Sequence, residues 1–174
     1  MATAEDIEVI KEEYLLKARF APQKDIIKTH IPAGSSVLDL GCGDKDMLNY
    51  ITCSDYHGVD VCELADQVHD FDGDLLTWDR TWDVGLMVSM LYYPEDTDRF
   101  LNHYKQFASK WIVTIAPMPR LLKPEWNHSF SPTRIEGVLN THFTTISSKI
   151  EIESDISRLG REGTKYWCMY ICTP

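Results

Sequence analysis

The residues with the clearest chemical use are Asp39, Gly41, Gly43 and Asp60. In Val37-Leu38-Asp39-Leu40-Gly41-Cys42-Gly43-Asp44 an apolar run meets an acid and then two glycines separated by one residue. Such a run reads as a buried strand. The glycines let the main chain bend tightly and approach a ligand closely. Further along, Gly58-Val59-Asp60 is a second apolar rise that ends in a carboxylate. An ionised carboxylate accepts hydrogen bonds and donates none, so Asp60 at a strand tip suits a pair of ribose hydroxyls. The two segments together read as a nucleoside pocket, and its acidity selects among nucleosides.

A dinucleotide-binding turn would continue as Gly-x-Gly-x-x-Gly, and Asp46 stands where the third glycine would be. Asp44 and Asp46 place two carboxylates where a pyrophosphate would rest, which is electrostatically unfavourable. The same charges suit a cation. S-adenosylmethionine carries a sulfonium and an α-ammonium group, and Asp39 is positioned to hold the ammonium directly or through water. The alternative is a plain glycine turn whose acid caps a helix.

These residues need a scaffold of strands and helices. Ile7, Ile10, Tyr14, Leu15 and Ala18 recur at helical steps, and Ala21-Pro22 breaks the pattern. A short helix is expected over Gln23 to Thr29, and Ile31-Pro32-Ala33-Gly34 is a turn. Strands are expected at Ser36–Leu40, His57–Asp60, Gln67–Phe71, Trp82–Ser89 and Trp111–Ala116. Lys45–Ile51 and Thr97–Ala108 read as helices. A helix from Pro132 to about Asn140 is expected after Ser131, its N-cap. Phe143–Glu153 and Tyr166–Cys172 read as an antiparallel hairpin. Strands alternating with helices imply an α/β fold with a parallel sheet covered on both faces. A single domain spanning 1–174 is expected: an N-terminal helical segment, 1–30, over the cofactor site, and an α/β core, 31–174.

The chain has 174 residues, 44% of them hydrophobic, and a formal net charge of -10. No basic face is evident, beyond a local patch from Arg120, Lys123 and Arg134, so tracking of a nucleic-acid backbone is not expected. No run approaches the ~18 apolar residues of a membrane span. The N-terminal Met1-Ala-Thr-Ala-Glu-Asp lacks the basic and apolar regions of a secretory signal. Cys42, Cys53, Cys62, Cys168 and Cys172 show no paired or metal-binding spacing. They are expected as free thiols in a reducing cytoplasm, with no metal centre.

The chain resembles the class I S-adenosylmethionine-dependent methyltransferases over roughly residues 30–150. Val37–Gly43 resembles the family's first motif and Gly58-Val59-Asp60 its ribose-binding acid. Ala65-Asp66-Gln67-Val68-His69-Asp70-Phe71 is similar to a compact variant in which Asp70 and Phe71 lie against adenine; Gly73-Asp74-Leu75 is a competing match. Trp82-Asp83-Val84 resembles the start of the fourth strand and Ser89-Met90-Leu91-Tyr92-Tyr93-Pro94 its exit. The resemblance implies a doubly wound, mostly parallel seven-stranded sheet with a C-terminal antiparallel strand. It implies S-adenosyl-L-methionine as cofactor, bound by Asp39, Gly41, Cys42, Gly43, Asp60, Asp70, Phe71 and Ser89.

Departures from the family narrow the acceptor. Ala108-Ser109-Lys110 replaces the usual Pro-Gly turn before the fifth strand. The Asn/Asp-Pro-Pro-aromatic signature of amide and base N-methylation is absent at Ser89–Tyr92. The Lys-Asp-Lys-Glu tetrad of ribose 2′-O-methylation is absent too. Trp126-Asn127-His128-Ser129-Phe130-Ser131-Pro132 resembles an acceptor-side loop of small-molecule enzymes. His128 is the candidate general base, since histidine titrates near neutrality; a loop-structuring histidine is the alternative. Tyr92, Tyr93 and Trp126 are candidates for the acceptor wall or for packing, and Tyr14 and Phe20 for closing over the cofactor. The expected activity is methyl transfer to a small molecule by in-line displacement. The alternatives are methylation of a protein or RNA recognised through a partner, and a non-catalytic cofactor-binding subunit. The C-terminal hairpin offers an edge to a second copy.

Overall fold

The computed structural model describes residues 21–91, 93–115, 132–154 and 165–174. Seven strands form one sheet: β1 (Ser36–Leu40), β2 (Asp55–Asp60), β3 (Gln67–Val68), β4 (Trp82–Val88), β5 (Ala108–Ile115), β6 (Thr145–Ser154) and β7 (Lys165–Thr173). Their order is β3-β2-β1-β4-β5-β7-β6. Pairs among β1 to β5 are parallel; β7 is antiparallel to both β5 and β6. The doubly wound sheet and antiparallel hairpin expected from the sequence are both present.

Strand order reverses at β1, which has β2 on one side and β4 on the other. The crevice beyond the carboxyl ends of those strands is where open α/β sheets bind ligands. β1 is short, and Val37 to Leu40 are all buried, as expected of a parallel strand covered on both faces.

One face is covered by α1 (Ala21–Lys28). Its Ile27 packs with Ile31, Val37, Met47, Val84, Leu86, Ile112 and Met169. The other face carries α2 (Thr97–Tyr104) and α3 (Pro132–His142), with Phe100, Leu101, Tyr104, Ile135 and Leu139 in the larger core around Trp111 and Tyr170. Asp96 caps α2 by accepting from the Arg99 N–H at 2.8 Å, as N-cap acids do. Gly85 leaves room for Trp111: a Cβ there would sit 2.3 Å from the indole ring.

Three expected elements are shorter than expected, the first two for local polar reasons. Lys45–Ile51 is not an α-helix; only a 3-10 turn forms, at Asp46–Asn49. Lys45 takes a left-handed conformation (φ 60°), and Asp44 Oδ1 accepts from the Asp46 N–H at 3.2 Å. Such short side chains divert the backbone from helix. β3 is two residues long, because Asp70 turns the chain at once. Its Oδ1 accepts from the Asp72 N–H at 3.1 Å and its carbonyl from the Gly73 N–H at 3.0 Å. The helix expected to Ala108 ends at Tyr104, and Lys105–Phe107 continues as a 3-10 turn into β5. The expected helix over Ile7–Ala18 and the Ser131 N-cap lie outside the described residues.

Candidate functional site

The loop after β1 is held open by glycine geometry. Gly41 and Gly43 have φ of +81° and +55°, values that cost other residues strain. A Cβ on Gly41 would meet Met90 Cγ at 2.5 Å, so Met90 at the β4 exit packs directly on the bare main chain. The Gly41 and Cys42 N–H groups both donate to the Val59 carbonyl, at 2.8 and 3.3 Å. Cys42 points its thiol beneath β2, where a Cβ on Gly58 would meet Sγ at 2.7 Å. Burial and then the charge of Asp39 push that thiol far above the usual range, so it stays protonated. Cys42 thus serves the loop by packing.

Asp60 fastens this loop to β2. Its Oδ2 accepts from the Gly43 N–H at 2.8 Å and its Oδ1 from the Cys62 N–H at 2.9 Å. A carboxylate has about four acceptor positions, so each oxygen keeps one. A second brace lies beside it. Asp66 accepts from the Gly58 N–H at 2.8 Å and from Lys45 Nζ at 2.7 Å. Burial opposes its ionisation, but those hydrogen bonds outweigh burial and hold its carboxyl below the usual range.

Asp39 is the electrostatically strained group. It is 2% exposed. Its Oδ2 accepts from the Tyr56 hydroxyl at 2.6 Å, while Oδ1 is buried without a hydrogen-bond partner. Burial pushes its pKa up to about 7; the Tyr56 hydrogen bond pulls down against that, Asp60 adds to the rise and Lys24 offsets part of it. Lys24 reaches the site from α1 and is ion-paired to Asp46. A buried acceptor without a partner carries a desolvation cost that a donor arriving there would relieve.

Ser89 lies just beyond β4 with φ +58°. Its N–H donates to the Thr114 carbonyl at 3.0 Å, and its buried Oγ has no partner. Asp70 and Phe71 follow β3. The Phe71 ring packs edge-on against Phe100 and Tyr104, with centroids 5.4 and 5.7 Å away. Asp74, in the competing match, is exposed. A cleft of about 130 Å³ opens between Phe71, Asp72 and Leu75 on one side and Glu95, Arg99 and Phe100 on the other.

Asp39, Gly41, Cys42, Gly43, Asp60 and Ser89 thus gather at one end of the sheet, with Asp70 and Phe71 following the neighbouring β3. Two histidines are engaged in packing: His57 stacks on Trp82 with centroids 5.8 Å apart, and His103 Nε2 lies 2.6 Å from the Leu76 carbonyl. His128, Trp126, Tyr92, Tyr14 and Phe20 lie outside the described residues. All five cysteines are free. Among the described residues no helix is long and apolar enough to cross a membrane.

Sequence reasoning missed Tyr56, Asp66, Lys24 and Met90. Tyr56 carried a signal: strand alternation puts it on the face of Gly58, the residue paired with Asp39. Asp66 and Met90 are brought in by loop geometry, which has no period, and Lys24 by the way α1 packs across the sheet.

A sheet in this order, with a glycine loop at the reversal and an acid at the tip of β2, has the architecture of the class I methyltransferases. The chain superimposes on a putative methyltransferase solved in complex with the Haloferax volcanii Trm112 methyltransferase activator (TM-score 0.68, 14% identity, 94% of this chain and 93% of that one). It is also similar to the plantazolicin methyltransferase BpumL in complex with SAH (TM-score 0.65, 12% identity, 99% and 91%). A third likeness is to the [4+2]-cyclase SpnF (TM-score 0.66, 14% identity, 87% and 80%). No curated protein matches the chain in sequence. The family model described as methionine biosynthesis protein MetW matches residues 21–121, and the chain belongs to that family.

Proposed function

We propose that this protein binds S-adenosylmethionine beyond the carboxyl ends of β1, β2 and β4 and transfers its methyl group to a small-molecule acceptor. The observation that carries the reading is the buried, unpartnered Oδ1 of Asp39 beside the Gly41–Gly43 loop. When bound, the cofactor supplies a methyl group on a sulfonium, already a good leaving group. Asp39 would take the ammonium, and the two acceptor positions left on Asp60 would take the ribose hydroxyls. Asp70 and the Phe71 main chain would border adenine, while Gly41, Gly43 and Ser89 would line the methionyl part. Cys42 would contribute through the shape it gives the loop. The chain's main task is to hold a nucleophile in line and keep water out.

A thiol, an amine or an acidic hydroxyl would need no general base; a poorly acidic hydroxyl would. His128 is the residue we propose for that role. A His128→Ala variant that binds cofactor and turns over normally would end its candidacy. The family name, which refers to methionine biosynthesis, supports a metabolite acceptor. We read residues 1–174 as one unit, with the cytoplasm as the compartment that suits five free thiols.

A second reading is methylation of a macromolecule recognised through a partner. It draws on the similar methyltransferase that is bound to a protein activator. The experiment is methyl transfer from a tritium-labelled donor into fractionated metabolites, RNA and protein. Label in the metabolite fraction supports the first reading. Label confined to RNA or protein replaces it with the second.

A further inference from the structure

Gln23 is 2% exposed, and neither Oε1 nor Nε2 of its side chain has a hydrogen-bond partner. A buried amide left in this state carries an uncompensated desolvation cost. Two neighbours fix its place. α1 runs antiparallel to β1: Lys24, at its start, pairs with Asp46 just beyond the glycine loop, while the His30 carbonyl past its end accepts from Lys110 Nζ near the start of β5. Gln23 therefore sits at the end of the sheet where β1 opens into the loop. It also lies one helical turn from Ile27, so both share the face packed on the sheet. On the sheet, Asp39 shares a face with Val37 and pairs with Leu86, and Val37 and Leu86 both belong to the core that holds Ile27. Gln23 and Asp39 are thus the polar residues that top the same layer from its two sides, and each has an unmet buried group.

We propose that Gln23 recognises the carboxylate of the cofactor's amino-acid end, with its amide N–H donating while Asp39 Oδ1 accepts from the ammonium. The inference rests on the cofactor reading above and adds a residue that none of the motifs contains. An acid and an amide together match a zwitterion: the anion holds the ammonium, and the neutral donor meets the carboxylate without cancelling the acid. A lysine there would pair with Asp39 instead. Gln23 would make the pocket selective for ligands that retain the α-carboxylate.

The test is a cycle of two ligands and two proteins, read by calorimetry. The ligands are S-adenosylhomocysteine and S-adenosyl-3-thiopropylamine, which lacks only the carboxylate. The proteins are the wild type and Gln23→Met, which keeps the side-chain length and removes the amide. The wild type should bind the decarboxylated ligand about 10-fold more weakly, the loss of one charge-assisted hydrogen bond. Gln23→Met should lose the same ~10-fold for S-adenosylhomocysteine and less than ~2-fold for the decarboxylated ligand. The unliganded variant should melt no lower than the wild type, since an unpaired buried amide is gone. Equal losses for both ligands, or none for either, would overturn the assignment. Should Gln23→Met fail to fold, the wild type decides alone: equal affinity for the two ligands refutes carboxylate recognition. A wild type that binds neither ligand removes the cofactor reading and this inference with it.

Discussion

The Gly43 N–H donates to Asp60 Oδ2 at 2.8 Å, joining the loop after β1 to the tip of β2 across 17 residues. As motif residues the two have separate expected tasks, a bend and a ribose contact. In the structure the acid also closes the bend, because its other oxygen is tied to the Cys62 N–H. Loop shape and the proposed ribose contact therefore depend on the same carboxylate.

Asp60→Ala should accordingly cost more than a surface substitution. Unpairing two backbone donors and losing charged hydrogen bonds to ligand should weaken S-adenosylhomocysteine binding by roughly 1–3 kcal/mol or more. The melting temperature should fall as well. Asp60→Asn keeps one acceptor and should fall between. Affinity unchanged in both variants would remove the ribose assignment.

Asp39 should make stability depend on pH. Burial lifts its folded pKa to about 7, above the ordinary aspartate value of 3.8. Its contribution is therefore fully present below about pH 4 and is lost as pH rises toward 7. Asp39→Asn keeps an acceptor for Tyr56 and carries no charge. Relative to the wild type it should gain stability over that window, by a few kcal/mol in order of magnitude at pH 8. The same variant should bind the cationic cofactor more weakly. Melting curves from pH 4 to pH 8 check this; a difference between the two proteins that stays flat with pH would show that Asp39 is not held as described.

Gly41→Ala combines two penalties. The positive φ costs a residue with a Cβ about 1–2 kcal/mol, and the new methyl meets Met90 Cγ at 2.5 Å. Cofactor affinity should drop at least ~10-fold, roughly the 1.4 kcal/mol equivalent. In a double-mutant cycle with Met90→Ala part of the lost stability should be recovered, since that change removes Cγ from the new methyl but leaves the Met90 Cβ 2.8 Å away and the φ penalty. No recovery in the double variant would refute the contact.

The sheet was legible because its strands are apolar runs bounded by glycines, prolines and acids, and the hairpin because two such runs flank a glycine-bearing link. The motif residues were legible because Gly41, Gly43 and Asp60 are chemically unusual at strand ends. What stayed hidden depends on register. Alternation puts Tyr56 on the face of Gly58, but only the pairing of Gly58 with Asp39, a matter of register, brings it to that acid. The shortness of β3 and of the turn after Lys45 came from acids bonding nearby backbone, where hydrophobic spacing had favoured longer elements. Gln23 read as an ordinary helix residue, and only its burial without a partner sets it apart.

In the proposed site, acids around a bare main-chain bend select a positively charged adenosine derivative. Calorimetric titration of the wild type with S-adenosylmethionine and with NAD, near pH 6.5 in two buffers of different ionisation enthalpy, tests it most directly. S-adenosylmethionine should bind, NAD should give no heat, and the proton that Asp39 releases as the ammonium arrives should add a buffer-dependent heat. Binding of NAD, or of no nucleoside at all, would contradict it.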